Sequence, residues 1–105
     1  MFFLVVVSGV SMVPMLAPGD RLLVRRVRHP SDKLVGRIVV ARDPRDDGIL
    51  VIKRFASFNG DSFALIGDNS GASTDSRTLG SFPSNTLLGQ VVYRYFPVNA
   101  AGRIR

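Results

Sequence analysis

The stretch from Gly48 to Phe58, GILVIKRFASF, decides the fold. As a strand, its alternation places Val51, Lys53 and Phe55 on one face and Leu50, Ile52 and Arg54 on the other. The cluster DPRDDG, residues 43–48, precedes it and follows another strand-like run, so the two runs form a hairpin with Asp46 and Asp47 in a solvated turn. Working outward, strand-like runs stand at residues 2–7, 21–27, 37–42, 49–58, 62–66 and 88–95, with a loop over 8–20. Gly, Pro and Asp cut the chain into short segments, and no segment sustains helical periodicity. These features predict an all-β fold, compact and mostly antiparallel, with residues 1–105 as a single domain. The opening run MFFLVVV is far short of the roughly 20 residues of a membrane helix and lacks the basic start of a secretory signal, so it reads as a buried strand.

Hydrophobic residues make up 46% of the chain and charged ones 21%, a balance that supports a packed core. The absence of cysteine excludes thiol nucleophiles, disulfides and thiolate metal sites. The one histidine, His29, sits in the polar turn RHPSD and reads as a surface residue. No metal site and no cofactor are therefore expected. Net charge is +6, and eight of the fourteen basic residues fall between Arg21 and Arg45, opposed only by Asp32 and Asp43. The run RLLVRRVR within it alternates partly like a strand with one solvated face, and the segment lacks interleaved aromatics. Two readings stay open here: a plain solvated face, or the surface of a catalytically silent β module that binds nucleic acid or anionic lipid.

Lysine is rare, with Lys33 and Lys53 against twelve arginines. Arginine keeps its proton in a protein, whereas a buried lysine can lose it. Lys53 shares its strand face with apolar neighbours, and burial disfavours an ammonium, by up to about 3 to 5 pKa units. The alternative is a packed stem with its head in water. A serine needs a neighbouring base before it becomes a nucleophile. With His29 in a basic turn, a Ser–Lys dyad is the available arrangement.

Three stretches bear on this chemistry. In SGVSMVP, residues 8–14, Gly9 lets the backbone approach a substrate, Pro14 stiffens the exit, and amides near Ser11 could face an oxyanion; a simple turn after a strand is the alternative. GDNSGASTDSR, residues 67–77, is either a long surface loop or a support in which Asp75 pairs with Arg77 and Ser73 orients a lysine amine. Asp20, in APGDRLLV, reads as the end of a turn before a strand.

In order, SGVSMVPMLAPGDRLLV, VIKRF and GDNSGASTDSR resemble the nucleophile, lysine and C-terminal boxes of the signal peptidase I family of serine proteases. LGSFPSNTLLGQVVYRYFP continues the likeness, which covers nearly all of the chain. The resemblance implies an all-β peptidase with Ser11 as nucleophile and Lys53 as general base. It also implies Ser73 as the lysine-orienting serine, Asp75 with Arg77 as a structural ion pair, and Gly67, Asp68 and Asn69 as the opening of the third box. Some members place an oxyanion-hole serine where this chain has Gly9, so the hole would rest on the Ser11 amide, with Ser8 nearby. With no run long enough to serve as the family's membrane anchor, an unanchored form is the expectation. A short branch of the family that lacks the anchor is similar in its nucleophile box and in the ending RYFP. That branch removes an N-terminal propeptide from the precursor of nickel-type superoxide dismutase, which implies that precursor as substrate and a cytoplasmic location. Two enzyme alternatives are a signal peptidase separated from its anchor, which would be membrane-associated and cut after small residues, and a self-cleaving repressor domain. The third box disfavours the second.

Overall fold

The structure, a computed structural model, describes residues 1–72 and 80–105. Its strands are β1 (Phe2–Val6), β2 (Arg21–Arg26), β3 (Ile38–Asp43), β4 (Asp46–Asn59), β5 (Ser62–Ile66), β6 (Phe82–Pro83), β7 (Leu87–Phe96) and β8 (Gly102–Arg103). They form one sheet in the order β1-β2-β7-β3-β4-β5-β6, with β8 added to β7, and every pairing is antiparallel. Among the described residues the helical pieces are four single 3-10 turns, Asp32–Leu34, Ser70–Ala72, Ser84–Thr86 and Val98–Ala100. The fold is the expected all-β, antiparallel one.

Why the sheet coils is visible in β3, which is buried on both faces because its alternate residues enter two cores. Ile38 and Val40 join Leu22 and Val24 of β2, Val91 of β7 and, partly buried, Phe3 and Val5 of β1 and Ile52 of β4. One cluster thus draws on β1, β2, β7, β3 and β4, and the sheet wraps around it. Val39 and Ala41 join the second core, with Phe55, Phe63, Leu65 and Phe82. There Phe63 stacks between Phe55 and Phe82, with ring centroids 5.4 and 5.8 Å away. Each such ring contributes about 1.5–3 kcal/mol by its burial. Gly89 permits the coiling locally: a Cβ there would lie 2.5 Å from the Arg25 carbonyl oxygen and 2.6 Å from Val24 Cγ1.

Two expectations need correction. The opening run is not a buried strand: β1 is a sheet edge whose Phe2, Leu4 and Val6 are exposed while Phe3 and Val5 pack inward. An unbroken apolar run hides that alternation. The solvated turn is also shorter than expected, because Asp43 pairs with Asp46 and β4 already begins there. The turn closes tightly because Asp43 Oδ1 accepts the Arg45 N–H at 2.8 Å, and its two oxygens receive the Arg45 guanidinium at 3.1 and 2.9 Å. That bonded guanidinium holds the Asp43 carboxyl below the usual carboxylate range. Asp46 then accepts the Gly48 N–H at 3.0 Å.

Candidate active site

The loop over 8–19 leaves β1 and returns to β2 through a closed neck. The Val7 N–H donates to the Asp20 carbonyl at 2.8 Å and the Gly19 N–H to the Val7 carbonyl at 2.9 Å. Gly9, at φ 77°, turns the chain in the left-handed region that side chains disfavour. Two tight turns follow, Val13 N–H to Val10 O at 3.1 Å and Leu16 N–H to Met12 O at 2.9 Å. Met12 and Leu16 are buried in the first core, so Ser11, immediately before Met12, is fixed at the core's rim.

At the loop's exit Asp20 ends the turn, as its sequence setting predicts, but it is also buried. Its Oδ2 accepts the Ala17 N–H at 3.0 Å and Arg94 Nη1 at 2.9 Å. Arg94, from β7, further donates to the Met15 carbonyl at 3.1 Å and the Ala100 carbonyl at 2.8 Å. Arg94 was not legible in the sequence. It is one arginine among twelve, and only the β2–β7 pairing brings it to the loop.

Lys53 comes from the middle of β4, opposite Val39 of β3. It is 6% exposed and Phe55 is fully buried, which matches the face assigned from alternation. Because the sheet coils, β1 and β4 face each other although three strands separate them in the sheet order. Between them lies a cleft of about 320 Å³ lined by residues 4–6 of β1, Val7, Ser8, Ser11, Met12 and residues 50–53 of β4. Ser11 and Lys53 therefore share one cleft, with Ser8 at its wall.

The segment after β5 ties the two sides together. Gly67 is buried. Asp68 takes a two-point fork from Arg54, Nε to Oδ1 at 2.9 Å and Nη2 to Oδ2 at 2.8 Å, and Arg54 Nη1 also donates to the Gly36 carbonyl at 2.8 Å. The hydrogen-bonded carboxylate raises the Arg54 pKa further. Asn69 then reaches the loop over 8–19, its N–H donating to the Ser11 carbonyl at 2.8 Å and its Nδ2 to the Val10 carbonyl at 3.1 Å. Ser73, Asp75 and Arg77 lie outside the described residues. His29 is on the surface, as expected.

Among the described residues no helix is long and apolar enough to cross a membrane. Comparison with known proteins agrees with a peptidase. The Peptidase S24-like family matches residues 1–92. The chain is similar to the mitochondrial ATP-independent inner membrane protease subunit 1a of Arabidopsis thaliana, 31% identical over 94% of this chain and 73% of that protein. The human mitochondrial inner membrane protease subunit 1 is 28% identical over 96% of this chain and 74% of its own length. Signal peptidase I of Leptolyngbya laminosa is 41% identical over a shorter stretch, 42% of this chain and 22% of that protein. A family match spanning β1 to β7, with relatives that are themselves proteases, means that the chain belongs to the Peptidase S24-like family and is a peptidase related to signal peptidase I and the mitochondrial inner membrane proteases.

Proposed function

We propose that the protein is a serine endopeptidase in which Ser11 is the nucleophile and Lys53 the general base. The observation that carries this reading is the single cleft shared by Ser11 and a lysine that is 6% exposed. Withdrawal from water disfavours the ammonium and so favours the amine that can accept a proton. Neutral Lys53 takes the Ser11 hydroxyl proton as Oγ bonds to the scissile carbonyl carbon. The C–N bond then breaks, the proton passes from Lys53 to the leaving amine, and an acyl enzyme remains. Lys53 next takes a proton from water, whose oxygen bonds to the acyl carbon; the bond to Ser11 Oγ breaks and Lys53 returns the proton to that oxygen, restoring both groups. The developing oxyanion faces the Ser11 N–H, which among the described residues has no other acceptor. The family resemblance supports Ser73 as the residue that orients the lysine amine and Asp75 with Arg77 as a structural ion pair.

The substrate lies extended in the cleft along β1, which among the described residues pairs only with β2 and so keeps its other edge free. Main-chain pairing there binds a peptide with little demand on its sequence. The apolar walls from Val5, Val7, Met12 and Val51 suit small residues beside the scissile bond. The substrate is the precursor of nickel-type superoxide dismutase, from which the enzyme removes an N-terminal propeptide; the nucleophile box and the ending RYFP support this. A second reading, cleavage of exported precursors, is favoured by the likeness to signal peptidase I.

Intact-mass spectrometry separates them. The protein and its Ser11→Ala variant are incubated with the dismutase precursor and with an exported precursor ending in Ala-X-Ala. Ser11-dependent trimming of the first alone is expected. Trimming of the second alone replaces the substrate assignment, and Ser11-independent trimming refutes the dyad.

A further inference from the structure

A second and larger cleft, of about 720 Å³, shares no lining residue with the first. Five cations line it: Arg25 from β2, Lys33 from the first 3-10 turn, Arg37 just before β3, Arg103 from β8 and Arg105. No acidic side chain lines it. All five are exposed, and among the described residues none forms a salt bridge. The described arginines that do, Arg45, Arg54 and Arg94, lie elsewhere. Arg25 is further held in place by donating to Gln90 Oε1 at 2.7 Å. Three of the five come from the basic segment 21–45, but the fold adds two from the far end of the chain. Like charges gathered around a concavity focus a positive potential into it.

We propose that this cleft is an exosite for an acidic peptide segment of the protein on which the peptidase acts. The volume is in the range of sites that enclose whole ligands of several groups, and is more than one phosphate would fill. Of its other lining residues, Val27, Leu34, Val92 and Ile104 are aliphatic, and Ser31 and Gln90 are neutral and polar. Nucleic acid bound through single strands needs aromatic faces for its bases, and none lines this cleft. Carboxylates spaced by aliphatic side chains match both the cations and the floor. The source of the segment rests on the peptidase reading; the ligand chemistry of the cleft does not.

The test therefore reads binding first, in the Ser11→Ala variant. The probe is a fluorescein-labelled peptide of glutamates interspersed with leucine and serine, followed by fluorescence anisotropy, with the glutamine version as control. Saturable binding that weakens with added salt is expected for the glutamate peptide alone. Arg37→Glu combined with Arg103→Glu should raise its Kd at least tenfold, and the milder pair Lys33→Gln with Arg105→Gln at least threefold, with circular dichroism unchanged. Equal binding of the glutamine peptide, or no change in either variant, overturns the proposal. So does tighter, variant-sensitive binding of a single-stranded oligonucleotide or of phosphatidylserine vesicles, which would assign the cleft to those ligands. In the wild-type chain, joining the acidic segment to a cleavable peptide should lower KM at constant kcat, and the Arg37→Glu/Arg103→Glu variant should cancel that gain. An unchanged KM with intact binding refutes the substrate as the segment's source.

Discussion

Replacing Arg94 by Met removes a guanidinium that donates to Asp20 Oδ2, the Met15 carbonyl and the Ala100 carbonyl, while the hydrocarbon stem stays comparable in bulk. It leaves the Asp20 carboxylate, whose side chain is 6% exposed, facing only the Ala17 N–H among its described partners. Breaking a buried pair by removing one partner costs about 3–5 kcal/mol. The Arg94 side chain is 20% exposed, which lets water reach the site and places the expected loss near the lower bound, about 3 kcal/mol. At about 4 °C per kcal/mol for a chain of this size, Tm should fall by roughly 12 °C. Urea unfolding of the wild type, Arg94→Met, Asp20→Asn and the double variant forms the cycle that isolates the pair. The double variant should be more stable than the sum of the single losses predicts, by at least about 1.5 kcal/mol, since a neutral amide in place of the carboxylate no longer strands a charge. A single-variant loss below about 1 kcal/mol, or a cycle with no coupling, would refute the claim that this pair closes the loop that carries Ser11.

The remaining predictions concern the base, the clamps and the hairpin. Lys53→Arg keeps the charge but cannot release its proton, so turnover should fall by about a thousandfold or more, as for Lys53→Met; retained activity in the arginine variant removes Lys53 as the base. In the wild type, cleavage should decline as pH falls and Lys53 becomes charged, and a rate that rises into acid would contradict the mechanism. Asn69→Ala deletes the bond to the Val10 carbonyl but keeps the backbone bond to Ser11. It should cost about 1 kcal/mol in urea unfolding and lower kcat more than it raises KM. Asp43 has its carboxyl held below the usual range by Arg45, so its contribution is complete above the unfolded pKa of about 3.9 and is lost as pH falls through the lower folded value. Asp43→Asn should therefore narrow the difference in urea midpoint between neutral and strongly acidic pH, and an unchanged difference would show that the hairpin ion pair does not contribute to acid sensitivity.

The parts of the fold that were legible from sequence are those with a local period. β4 alternates over enough residues to place Lys53 and Phe55 inward, and β2, β5 and β7 fall within a residue or so of the runs read for them. β6 and β8, two residues each, are too short to carry a period and exist only through their neighbours. The two-faced burial of β3 and the one-faced burial of β1 are tertiary outcomes of where each strand sits in the sheet. β1 and the first four residues of β3 are continuously apolar, so their patterns cannot tell a central strand from an edge. At the site, the residues with distinctive chemistry, Ser11 and Lys53, stood out, whereas Arg94 did not. An arginine that holds a loop differs from a solvated one only by the Asp20 it meets 74 positions away.

These contacts show how a loop without regular structure can hold Ser11, the proposed nucleophile, in place. Ser11 is constrained from three directions by residues that the proposed reaction does not use. Met12 and Leu16 anchor it to the first core, Arg94 with Asp20 closes its exit, and Asn69 grips the carbonyls of Val10 and Ser11. The third clamp is itself tied to the strand that carries Lys53, because the residue before Asn69 is forked by the residue after Lys53. The proposed nucleophile and base are thus referenced to each other through Asp68 and Arg54, without a direct covalent or strand connection. A dyad needs that relative precision more than it needs rigidity of either half, since a misplacement of about 1 Å can cost a hundredfold in rate. Loosening either end of the Arg54–Asp68 fork should accordingly impair turnover more than stability.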